Sequence, residues 1–167
     1  MRNLVILILI PVSVFSQSEK KLFELLPSEQ TNITFQNTIT DEKDHNILIY
    51  SNYYGGAGVG VGDFNRDGLP DLFFAGNLVS DKLYLNKGRL RFEDITEKAG
   101  IENNGGWSSG VLVQDVNNDG WDDIYVTREL YDDRSDLRRN VLYINNGTST
   151  PPKGIWNVTF TEKAAEF

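Results

Sequence analysis

Apolar positions gather here in short β-rich runs separated by polar loops, not at helical spacing. Val59-Gly60-Val61-Gly62, Leu72-Phe73-Phe74-Ala75, Leu83-Tyr84-Leu85-Asn86 and residues 91–95 form one series of such runs. A second series follows: Val111-Leu112-Val113-Gln114, Ile124-Tyr125-Val126-Thr127, Leu142-Tyr143-Ile144-Asn145 and Val158-Thr159-Phe160. Short runs rich in β-branched and aromatic residues, bounded by Gly, Asn and Asp, predict strands. The third run of each series leads into Asn86-Lys87-Gly88 or Asn145-Asn146-Gly147, a hairpin signal. Each series therefore predicts four short antiparallel strands. Upstream, residues 31–35 and 46–50 predict two further strands, and residues 18–27 a brief helical or irregular lead-in.

Between the first two strands of each series lies an oxygen-rich loop. The first is Asp63-Phe64-Asn65-Arg66-Asp67-Gly68-Leu69-Pro70-Asp71, and the second, 52 residues later, is Asp115-Val116-Asn117-Asn118-Asp119-Gly120-Trp121-Asp122-Asp123. Oxygen side chains fall at loop positions 1, 3, 5 and 9, with Gly at position 6. Calcium takes six to eight oxygens at short range, and a tight turn lets one loop supply most of them. The spacing predicts Asp63, Asn65, Asp67, the Leu69 carbonyl and Asp71 as one ligand set. It predicts Asp115, Asn117, Asp119, the Trp121 carbonyl and Asp123 as the other. An EF-hand begins in the same way but closes with a carboxylate at position 12 and continues as a helix. Here position 12 is Phe74 or Val126, inside a predicted strand. The predicted unit is a hairpin whose turn is tied by a metal, with about two calcium ions per chain.

Composition narrows the function. The chain has 167 residues, of which 40% are hydrophobic and 11% aromatic, enough for a packed core. Its formal net charge of −8 argues against nucleic acid, which needs a basic footprint. There is no Cys, which removes thiol catalysis, disulfides and cysteine metal sites. The single His, His45, has no partner motif and reads as an ordinary surface or edge residue. Residues 1–16 predict a secretory signal: Arg2 is followed by an apolar run from Leu4 to Phe15, and Val14-Phe15-Ser16 offers a cleavage site before Gln17. That run is shorter than the ~18 residues of a spanning helix, so the mature chain is expected to have no membrane span. The expected location is secreted, periplasmic or cell-surface, where weak calcium sites are common.

Gly55-Gly56-Ala57-Gly58 and Gly105-Gly106-Trp107-Ser108-Ser109-Gly110 precede the two loop hairpins. A phosphate-binding reading fails, because a strand follows and no Gly-Lys-Ser/Thr does. Trp107 is expected to serve packing. Four strands per repeat, with a calcium loop between the first two, describe a β-propeller blade. The chain resembles the FG-GAP/VCBS repeat family, the calcium-loop propellers related to integrin α-chain heads. The phrases from Gly58 to Leu72, Leu83-Tyr84-Leu85-Asn86, residues 92–100 and Asn117-Asn118-Asp119-Gly120-Trp121 are similar to exported bacterial proteins that pair such propellers with a C-terminal ASPIC/UnbV domain. The resemblance implies an all-β fold of calcium-stiffened blades and a role in extracellular binding or adhesion, and it carries no catalytic residues.

On this reading residues 17–30 are a lead-in, and residues 31–167 hold a partial blade (31–54) and two blades (55–104 and 105–167). A closed propeller needs about four to eight blades. The expectation is therefore an incomplete propeller, a piece of a longer chain whose remaining blades are its partners, or an oligomer that closes the ring. The expected ligand is an extracellular protein or glycan. The alternative is a fragment of a secreted polysaccharide lyase or hydrolase on the same propeller. Glu93, Asp94, Glu102, Asp132 and Asp133 are the acids available for that chemistry, yet no two form a recognisable acid–base pair.

Overall fold

The computed structural model describes residues 21–101, 105–130, 133–147 and 158–164. The predicted signal, Glu102 and Asp132 lie outside the described residues. Two four-stranded antiparallel sheets make up the fold, each a meander of consecutive strands. The first contains β1 (Val59–Gly62), β2 (Asp71–Phe74), β3 (Lys82–Asn86) and β4 (Phe92–Asp94). The second contains β5 (Trp107–Gln114), β6 (Asp123–Glu129), β7 (Val141–Asn145) and β8 (Phe160–Glu162). Two helical turns complete the described elements, α1 (Ser28–Thr31) and α2 (Ser135–Arg138). This is an all-β, incomplete propeller-like fold of two blades.

Alternation along the strands decides which face is buried. In β1–β3 the inward row is Gly60, Phe73 and Leu83; in β5–β7 it is Val113, Ile124 and Tyr143. These rows meet in one core between the sheets, joined by Phe64, Leu85, Ile95, Ala99, Val126, Val158 and Phe160. Phe73 lies 6.3 Å from Tyr143, and Phe64 packs edge-on against Phe160 at 5.8 Å. The glycines of β1 let the sheets approach. A Cβ at Gly60 would stand 2.7 Å from Val113 Cγ2 and 2.8 Å from Val111 Cγ1. Backbone bonds also cross between sheets, from Gly58 N–H to the Ser109 carbonyl (2.6 Å) and from Ser108 N–H to the Gly76 carbonyl (3.1 Å).

Some expectations change. Residues 31–35 and 46–50 are not strands. Thr31 closes α1, and Asn32 takes a left-handed conformation (φ 62°) that breaks an extended run. Asn46 accepts from Leu48 N–H and donates to the Glu42 and Lys43 carbonyls, wrapping Ile47-Leu48-Ile49 into a turn. No blade strand therefore forms in residues 31–54. This segment instead packs on both sheets: Phe35 stacks on Phe74 of the first at 5.0 Å, Tyr53 and Tyr50 lie 5.1 Å and 6.1 Å from the Trp107 ring of the second, and Tyr50 Oη donates to Glu129. Trp107 is buried and serves packing, as expected. β8 starts at Phe160, two residues later than the apolar run suggests, because Val158 turns into the core.

Candidate functional site

The two oxygen-rich loops join β1 to β2 and β5 to β6, at the same end of each sheet. The bonds made by their side chains within each loop are repeated one for one. Asp63 accepts from Asp67 N–H (3.0 Å) and Gly68 N–H (2.9 Å); Asp115 accepts from Asp119 N–H (3.2 Å) and Gly120 N–H (2.7 Å). The Asn65 and Asn117 amides each bridge to position 5, accepting from the backbone N–H of Asp67 or Asp119 and donating to its carboxylate. Asp67 and Asp119 in turn accept from Leu69 N–H and Trp121 N–H, both at 2.8 Å. Gly68 (φ 85°) and Gly120 (φ 88°) sit where a side chain would be strained.

Asp71 and Asp123 play a different part from the other acids. Both are fully buried. Asp71 accepts from Phe64 N–H (3.0 Å) and Asn86 N–H (2.8 Å); Asp123 accepts from Val116 N–H (3.0 Å) and Asn145 N–H (2.8 Å). Each thus ties the start of its loop to the end of the sheet's third strand. Burial pushes the Asp71 carboxyl up to about 6; the two N–H bonds oppose this, and the negative charges of Asp67 and Asp63 add to it.

The structure adds two residues that sequence reasoning missed, Asn86 and Asn145. Asn86 donates to the Pro70 carbonyl (2.9 Å) and accepts from Gly88 N–H (2.9 Å). Asn145 donates to the Asp122 carbonyl (3.2 Å), accepts from Gly147 N–H (3.0 Å) and also reaches across to the Phe64 carbonyl (3.0 Å) of the first loop. The signal was the shared Leu-Tyr-aliphatic-Asn phrase, which suggests a turn but not its tie to the loop.

The donor chemistry suits a hard cation. Each predicted ligand set offers three carboxylates, one side-chain amide oxygen and one backbone carbonyl, all oxygen. Each carboxylate has about four lone-pair sites, of which the bonds above use two on Asp63 and two on Asp71. Among the described residues no three acidic or imidazole groups form a metal cluster by themselves. An ion here would therefore draw on Asn65 and the Leu69 carbonyl, or on Asn117 and the Trp121 carbonyl, together with the acids.

Two of the acids outside the loops, Glu93 and Asp94, are otherwise engaged. Glu93 pairs with Lys98 (2.9 Å) and Lys87 (3.7 Å), and the Lys98 ammonium holds it below the usual carboxylate range. Burial raises Asp94, but bonds from Thr96 and Lys82 outweigh it and leave the group lowered. Asp133 is exposed at the border of a cleft of about 570 Å³ that His45, Arg134 and Leu137 also line. His45 stands 3.8 Å from Glu42.

Two stacked four-stranded meanders, each with an Asp-x-Asn-x-Asp-Gly hairpin loop, define a blade-repeat protein. Residues 63–126 match the FG-GAP-like repeat family, from the first residue of the first loop into β6. Over that stretch the chain is similar to FG-GAP-like repeats. No curated protein matches it. No helix among the described residues is long and apolar enough to cross a membrane.

Proposed function

We propose that this protein is a secreted, calcium-stabilised propeller module whose loops contact an extracellular protein or glycan. The observation that carries the reading is the repetition of the side-chain bonds in the two loops, each with its oxygens gathered on a hairpin turn. Asp63, Asn65, Asp67, Asp71 and the Leu69 carbonyl would hold one ion. Asp115, Asn117, Asp119, Asp123 and the Trp121 carbonyl would hold the other. Calcium supplies positive charge that offsets crowded carboxylates and cross-links the turn. The chain's own bonds do the rest: Asp71 and Asp123 pin each loop to β3 or β7, so ordering the loop stiffens the sheet end that carries it.

The test is a calcium titration by calorimetry, with a melting curve at each concentration. Two ions per chain and a melting temperature that climbs with calcium are expected, since a ligand that binds only the folded state stabilises it by mass action. Asp119→Ala should remove one ion from the stoichiometry and shrink the calcium-induced shift. An Asp119→Ala chain that kept both ions and the full shift would overturn the assignment of the second loop.

A further inference from the structure

The two loops touch, and on one side of the contact a single side chain spans them. Arg66, at position 4 of the first loop, lays its guanidinium over the Trp121 ring of the second, 4.4 Å from the ring centre. It also abuts Gly120 so closely that a Cβ there would collide with Arg66 Nη2. Arg66 adopts a left-handed conformation (φ 56°), and its counterpart in the second loop, Asn118, does the same (φ 61°). Asn tolerates that conformation well and Arg does not. The first loop thus carries the costlier residue, and what Arg adds is reach: an Asn side chain is too short to cover the Trp121 ring. The loops are joined on their other side by Asp63 N–H donating to Asp122 (3.3 Å) and by the Asn145 amide shared between the Phe64 and Asp122 carbonyls.

Resting on the calcium reading, we propose that Arg66 couples the two loops, so that calcium in one raises the affinity of the other. Ordering the first loop fixes the Arg66 backbone and sets the guanidinium on Trp121. Trp121 carries the carbonyl predicted to ligate the second ion, and its N–H is already bonded to Asp119. A second loop steadied in this way loses less freedom on binding, which is positive coupling by shared ordering. Coupling in binding is reciprocal, so the effect runs in both directions. Arg66 acts here as a positioning residue that touches neither ion.

The experiment measures calcium affinity of the second loop by titration calorimetry on the full chain. Four forms are compared: wild type, Asp67→Ala, Arg66→Asn, and the double variant. Disabling the first loop with Asp67→Ala should weaken the second by about fivefold or more when Arg66 is present, the lower end of usual coupling factors. The same change in the Arg66→Asn background should leave the second loop unaltered. Trp121→Leu keeps the carbonyl, copies the residue at the same place in the first loop, and should abolish coupling as Arg66→Asn does. Binding of two ions with independent affinities in the wild type would overturn the coupling and leave the calcium reading intact. So would a fivefold loss that persisted in the Arg66→Asn background. A wild-type chain that bound no calcium would overturn both.

Discussion

Asp81 shows how much one side chain can carry in this fold. It is fully buried between the sheets, accepting from Gly76 N–H (2.8 Å) and Ser108 Oγ (3.1 Å). Burial raises its pKa above 3.8, while the bonds from Gly76 and Ser108 and the positive charge of Arg128 pull it back in part. With the folded pKa above the unfolded one, the folded chain holds more protons in the window that opens at 3.8. The contribution of Asp81 to stability is thus full below that value and is lost as pH rises through the folded pKa. Denaturant unfolding of wild type and Asp81→Asn should show the variant gaining on the wild type as pH rises through this window, since an amide has no charge to bury. A stability difference that stayed constant with pH would contradict the raised pKa. Asp81→Ala should lose about 1–3 kcal/mol, the cost of buried donors left without their acceptor. The second repeat meets the same need with an uncharged group: Asn140 accepts from Arg128 N–H (2.9 Å).

At the scale of elements, the glycines of β1 and the valines of β5 are complementary surfaces. Val111 and Val113 are β-branched and stiff at χ1, so they cannot swing aside cheaply. Gly60→Ala should therefore destabilise by about 1–3 kcal/mol through overpacking, although alanine is the better strand residue. Melting curves of the variant check this, and an unchanged midpoint would mean that the sheets separate without strain. The sequence showed the eight strands because a hairpin is a local object. Its two runs and its turn lie within a few residues, and alternation reports the buried face. Residues 31–35 alternate and residues 46–50 form an apolar run, but Asn32 and Asn46 give the backbone local bonds that win where no neighbouring strand competes. The loop ligand positions were legible for the same local reason. Asn86, Asn145 and Asp81 were not, because their partners lie on other elements. Asn145 and the Phe64 carbonyl are separated by 81 positions.

At the scale of the molecule, both sheets contribute to one core, so neither has an interior of its own. Phe73, Leu83 and Leu85 on one side are covered by Ile124, Val126 and Tyr143 on the other. Loss of one sheet would expose the other's apolar face to water. The expected behaviour is a single unfolding transition, with far-ultraviolet circular dichroism and tryptophan fluorescence giving coincident curves in urea. Two separated transitions would mean that each blade stands alone.

Among the described residues, every strand pairs only with its neighbours in sequence. Chains whose pairings are short-range reach their native topology quickly, because little loop-closure entropy precedes each gain. The first blade's hairpins can zip up while later residues are still being made. Its first loop, however, lacks one bond until Asn145 arrives to hold the Phe64 carbonyl. An order of assembly that starts at the first hairpin would leave that turn one bond short until β7 of the second blade is in place.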